Sequence, residues 1–126
     1  MITKANITGW KWRFTKLHIF ELPWYHGGDP LVITSQSGNE LVKLQRNTLI
    51  IYPHYHFDGA TYAPDFFEVL RAAAVHDALL QLSENHPQMV TRKMANEAFK
   101  KQMRADGFTL WPLYYIGVKL YSLIKR

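Results

Sequence analysis

The feature that most constrains this chain is a change of hydrophobic period between Pro53 and Pro64. Before Pro53, apolar and polar residues alternate in short runs, the pattern of half-buried strands. After Pro64, apolar residues recur at three- and four-residue spacing, the pattern of helices. With 126 residues, the chain has room for one core and not for two. The expectation is a single α+β domain over 1–126, with a β part over about 1–57 and a helical part over about 64–126.

The local signals refine this into a small antiparallel sheet followed by about three helices. Trp10-Lys11-Trp12-Arg13-Phe14 alternates with period two, then slips phase near Lys16 as Leu17 and Ile19 take over the apolar face. Such a slip predicts a bulge or a break. Pro23 and Gly27-Gly28-Asp29-Pro30 mark a loop. Leu31–Thr34 and Leu41–Leu44 flank Ser37-Gly38-Asn39-Glu40, a predicted hairpin, and Thr48–Tyr52 is a further strand ending at Pro53. Phe66–Leu82 reads as the first helix, opened by Pro64 and Asp65. Thr91 is placed to cap a second helix reaching about Arg104, which Gly107 can stop. Pro112 suits the first turn of a third, whose Lys119, Lys125 and Arg126 would complement the helix dipole.

Composition excludes several classes. There is no cysteine, which removes disulfides, thiolate nucleophiles and Cys-ligated zinc. Met1–Asn6 has no apolar segment and no cleavage motif, so no signal peptide is expected and synthesis in a reducing cytoplasm is the expectation. The apolar stretch from Phe108 to Val118 is shorter than the ~20 residues a membrane span needs, which leaves a helix docked on the core, on a partner or on a membrane surface, in that order. Aromatics at 14% point first to core anchoring and second to an interface. The net charge of +5 is uneven: residues 1–46 carry +3, residues 47–90 carry −4 and residues 91–126 carry +6. The candidate chemistry lies in the acidic middle, where a cation is a better partner than nucleic acid.

That chemistry centres on His76 and Asp77. On a helix His76 shares a face with Val69, Ala72, Ala73 and Leu80, and Asp77 borders Leu70, Ala73, Ala74 and Leu80. Two polar groups on a buried stripe must be satisfied by a cation, by a neighbouring His or Arg, or by backbone donors. One reading is a polar cluster that pins the helix; the other is a site. Upstream, His54 and His56 lie two apart and so share a strand face, followed by Asp58-Gly59, a tight-turn pair. His54, His56, Asp58 and Asp77, with His76, are the candidate ligands for a divalent cation such as calcium or zinc.

Three stretches occur in a recognisable order: Asp58-Gly59-Ala60-Thr61 with Pro64, then Ala74-Val75-His76-Asp77-Ala78-Leu79, then Arg92-Lys93-Met94-Ala95-Asn96-Glu97-Ala98-Phe99. Together they resemble the uncharacterised phage and prophage family catalogued as domain of unknown function 1353, over roughly residues 31–107. Leu80 stands where that pattern has Tyr, and Asn96 where it has Asp. A His-Asp pair on one helix facing a residue of a second also resembles secreted phospholipases of the A-two type. That likeness implies His76 as the base, Asp77 as a calcium ligand and Asn96 as the group orienting the imidazole. Against it stand the lack of a glycine-rich calcium loop, of disulfides and of the expected Asp. An asparagine accepts a ring N–H but stabilises an imidazolium less than a carboxylate would. Metal-dependent phosphohydrolases of the H…H-D…D type rank lower, because they are all-helical.

Three functional readings follow. The first is a phage- or prophage-type protein without enzymatic activity, virion- or tail-associated or acting as an accessory factor. Its contact surfaces would be the aromatic N-terminal strand and the apolar C-terminal helix, meeting other phage proteins or a second copy. The second is a small hydrolase using His76 and a divalent cation, weakened by Asn96. The third is a nucleic-acid-binding accessory protein using Arg92, Lys93, Lys100, Lys101 and Arg104, which a solvated helix face explains equally well.

Overall fold

The computed structural model describes residues 2–4, 12–57 and 67–124. Among these, seven strands precede three helices, the α+β arrangement the sequence predicts. The strands are β1 (Ile2–Lys4), β2 (Trp12–Phe14), β3 (His18–Glu21), β4 (Leu31–Thr34), β5 (Glu40–Gln45), β6 (Thr48–Ile51) and β7 (His56–Phe57). They form two antiparallel sheets where one was expected, β1-β2-β7 and β3-β6-β5-β4. The division falls at Thr15–Leu17, where the alternation slips phase and the chain bends from the first sheet into the second.

The four-stranded sheet owes its register to its alternating pattern. Phe20, Leu49, Leu44 and Leu31 form one cross-strand row, and His18, Ile51, Val42 and Ile33 form the next. All but His18 are buried. His18 stacks on Phe14 of β2 at 4.7 Å, joining the two sheets. Its burial lowers its pKa, with Arg71 adding to the effect. The predicted β4–β5 hairpin is present, turning through Ser35–Asn39 with Gly38 at φ +91°. A left-handed backbone there suits glycine.

Helix α1 (Phe67–Asn85) runs beyond the Leu82 expected, and its predicted openers Pro64 and Asp65 lie outside the described residues. It is buried on two sides, as a central helix must be. Leu70, Ala74, Ala78 and Leu82 join the sheet's core, while Val69, Ala72 and Ala73 join a second cluster with Phe99, Met103, Tyr114 and Val118.

Helix α2 (Arg92–Ala105) begins and ends on the signals read from its sequence. Thr91 Oγ1 accepts from the Met94 amide at 3.1 Å. At the other end Gly107 adopts φ +77°, so that its own amide reaches the Arg104 carbonyl and the Phe108 amide reaches that of Met103. These paired bonds are a Schellman close. Helix α3 (Trp111–Ile124) has Pro112 in its first turn. Its last turn holds no basic residue: Lys119 sits mid-helix, and Lys125 and Arg126 lie outside the described residues. The expected pairing of cations with the helix dipole is therefore not made by the described part of α3. Among the described residues, no helix is long and apolar enough to cross a membrane.

Candidate functional site

Small side chains bring the helices together. Ala72 and Ala73 of α1 and Ala95 and Ala98 of α2 are buried, letting the two helices pack closely around the groups between them. Into this interface α1 projects His76, α2 projects Asn96 and α3 projects Ser122. Asn96 is buried, 7% exposed, so its amide must find partners within the fold.

The three form a directed chain of hydrogen bonds. Ser122 Oγ donates to the Val118 carbonyl at 2.9 Å, as a serine in a helix readily does. Its lone pair then accepts from Asn96 Nδ2 at 3.1 Å. That fixes the amide orientation and presents Asn96 Oδ1 to His76 Nε2 at 2.8 Å. The imidazole must therefore carry its proton on Nε2 and donate it. Phe99 lies against the ring, with centroids 5.0 Å apart. Burial drives the His76 pKa down from 6.5 to about 4, with the Asn96 bond opposing and Arg92 assisting the fall. His76 is thus neutral at physiological pH.

Asp77 lies beside this chain without completing it. Its Oδ1 is 3.9 Å from His76 Nδ1, too far for a hydrogen bond, and its side chain is 23% exposed against 13% for His76. The remaining candidate ligands fall elsewhere. His54 is exposed; His56 is half-buried in β7, where it pairs across the sheet with Arg13. Burial, then Arg13 and His54, lower the His56 pKa. Asp58 lies outside the described residues. Among the described residues no three His, Asp or Glu side chains gather as a metal site would require.

A groove of about 300 Å³ opens between α2 and α3 onto the end of this chain. Asn96 and Ser122 lie at its floor, and Arg92, Lys93, Glu97 and Lys119 line it. Glu97 accepts from the Tyr115 hydroxyl and pairs with Lys100 at 3.1 Å. The Tyr115 bond holds Glu97 below the usual carboxylate range and pushes the phenol up to about 12.

Two features escaped sequence reasoning. Ser122 was legible in principle, because it shares the stripe Trp111, Tyr114, Tyr115 and Val118 at helical spacing. The second is a separate polar cluster at the other end of α1. Arg71 Nε stands 3.6 Å from Asp106 Oδ2, and the guanidinium lies 5.3 Å from the Phe20 ring centroid. Asp106 also accepts from Gln102 at 3.1 Å. A charge pair 35 residues apart leaves no local signature.

Fold and site thus define an α+β domain whose helices are tied by a buried, neutral His-Asn-Ser chain beside a cationic groove. The chain matches no protein-family model, no curated protein and no solved structure.

Proposed function

We propose that this chain is a non-enzymatic, phage- or prophage-type component, virion-associated or accessory, which works through its surfaces, and that His76, Asp77 and Asn96 serve its architecture. The phage part rests on the resemblance of the three sequence motifs. The non-enzymatic part rests on the burial of His76, 13% exposed between the helices, which lowers its pKa to about 4; the Nε2–H bond to Asn96 orients the ring and leaves the Nδ1 lone pair on the side of Asp77. A general base works best with a pKa near the operating pH and a lone pair aimed at substrate. Ser122, the nearby hydroxyl, donates its proton to the Val118 carbonyl and not to the imidazole, so a serine nucleophile activated by His76 has no support.

Three of the five cations named for the nucleic-acid reading pack on the domain's own aromatics, while Arg92 and Lys93 line the groove. Lys100, Lys101 and Arg104 lie over the rings of Tyr115, Trp24 and Trp111 at 4.9, 5.6 and 5.2 Å. Such stacking is explained by packing of the long side chains on the domain's own aromatics.

Thermal unfolding of metal-stripped protein, alone and with calcium or zinc, tests this reading. The midpoint should not move. A rise of roughly 5–15 °C, the effect of an ion at a hundred times its Kd on a domain this size, would instead put the hydrolase reading ahead if Asp77→Ala abolished it. Mass spectrometry of purified particles of the phage carrying this chain then separates a virion role from an accessory one.

A further inference from the structure

Helix α3 has two apolar faces and its core needs only one. Tyr114 and Val118 are buried against α1 and α2, with Trp111, Tyr115 and Ser122 half-buried beside them. On the opposite side, Leu113, Ile116, Leu120, Leu123 and Ile124 are each more than half exposed. At 3.6 residues per turn these five fall in a single stripe running the length of the helix. Single exposed aliphatics are ordinary, but a continuous stripe of them marks a contact surface.

What surrounds the stripe identifies what it contacts. Leu123 belongs both to the stripe and to the wall of the groove that holds Arg92, Lys93 and Lys119, the last exposed with its ammonium 5.2 Å from the Tyr115 ring centroid. The apolar surface and the cationic one therefore share an edge, within a segment, residues 91–126, that carries +6. Glu97, the acid in the groove, is already engaged by Tyr115 and Lys100.

We propose that this face of α3 docks on the surface of an anionic lipid bilayer, the stripe sinking among the acyl chains while Arg92, Lys93 and Lys119 meet headgroup phosphates. The proposal rests on the reading of the chain as a protein that works through its surfaces, and it does not depend on the role of His76. A helix lying in the interface needs one apolar face, flanking cations and no great length, and α3 supplies these. A second copy of the chain fits less well. Apposing two such faces would bring two +6 segments together, where a bilayer offers opposite charge.

The test is flotation of the full chain with vesicles of phosphatidylcholine alone and of an equimolar phosphatidylcholine–phosphatidylglycerol mixture at low ionic strength. The chain should float with the anionic vesicles only. Leu120→Glu should lower its partitioning by about tenfold or more, the worth of one buried leucine. Lys119→Gln should lower it by about fivefold and weaken its dependence on salt. Because Leu120 lies outside the core, the variant should keep the circular dichroism of the parent; should it not fold, Ile116→Ser is read in the same way. His76→Gln should float as the parent does, so a metal-dependent shift in melting would overturn the non-enzymatic reading and leave this result standing. Failure to float with anionic vesicles would overturn the proposal. So would a concentration-dependent dimer in sedimentation that Leu120→Glu disperses, which would assign the stripe to a second copy.

Discussion

Toward the four-stranded sheet, α1 presents Leu70, Ala74, Ala78 and Leu82 to a wholly aliphatic and aromatic core. Toward α2 and α3 it presents Val69, Ala72, Ala73 and, one turn on, His76. The first contact is cohesive chiefly through area, which is non-directional and tolerant of sliding, with the Tyr55 hydroxyl bond to Gln81 and the Arg71–Phe20 contact at its margin. The second adds hydrogen bonds that are satisfied in one arrangement of three helices. Burying polar groups contributes little net stability when all are paired and costs heavily when one partner is lost. The comparison teaches that the sheet side supplies most of the adhesion, and that the helix side fixes how the helices sit.

Substitutions can break this contrast from its largest effect downward. Leu79→Ala, in the sheet-side core, should cost about 3–5 kcal/mol in urea unfolding, because a fully buried leucine leaves a cavity. Acid should act on the other side. The folded-state His76 pKa of about 4 lies below the unfolded 6.5, so the unfolded chain binds the extra proton in this window. Stability should therefore be complete above pH 6.5 and fall by roughly 3 kcal/mol as the pH drops to 4. His18 and His56, also lowered, add to the slope. Subtracting the profile of His76→Gln isolates the one residue, and identical profiles would dismiss His76 as a buried titrating group. Asn96→Ala should cost about 2 kcal/mol by stranding the His76 donor, whereas the double variant His76→Leu/Asn96→Leu should recover much of that loss. If the double variant were worse than the sum of its parts, the chain would be a source of stability and not of specificity. Arg71→Met should cost about 1 kcal/mol and keep most of its effect in salt, because the facing atoms, Arg71 Nε and Asp106 Oδ2, are buried although the Arg71 side chain is 43% exposed.

How far the sequence revealed this molecule depends on the range over which each signal acts. The second helix is bounded by its own residues, Thr91 accepting an amide three positions on and Gly107 turning left-handed, and both could be read directly. The hairpin at Gly38 was legible for the same reason. Two sheets in place of one could not be read, since nothing local tells Trp12 to pair with Phe57. The site divides likewise. The spacing of His76 placed it on a buried stripe, but its bond to Asn96 joins separate helices, and only the motif resemblance set those two residues side by side. The count of histidines and acids around His54 was permissive because it carried no distances. In space His54 is exposed and His56 pairs across the sheet with Arg13.

The order of the strands has a consequence in time. Strands β4, β5 and β6 are neighbours both in sequence and in the sheet, so they zip through short turns at small entropic cost. Strand β7 must instead find β2, Phe57 meeting Trp12 across most of the N-terminal half. During synthesis the meander can assemble while α1 is still being made, and the three-stranded sheet must wait for the loop to close. Stopped-flow refolding should accordingly give φ-values that are high for Val42→Ala in β5 and near zero for Phe57→Leu in β7. The reverse ranking would place the birth of the fold at its longest loop and not at its shortest.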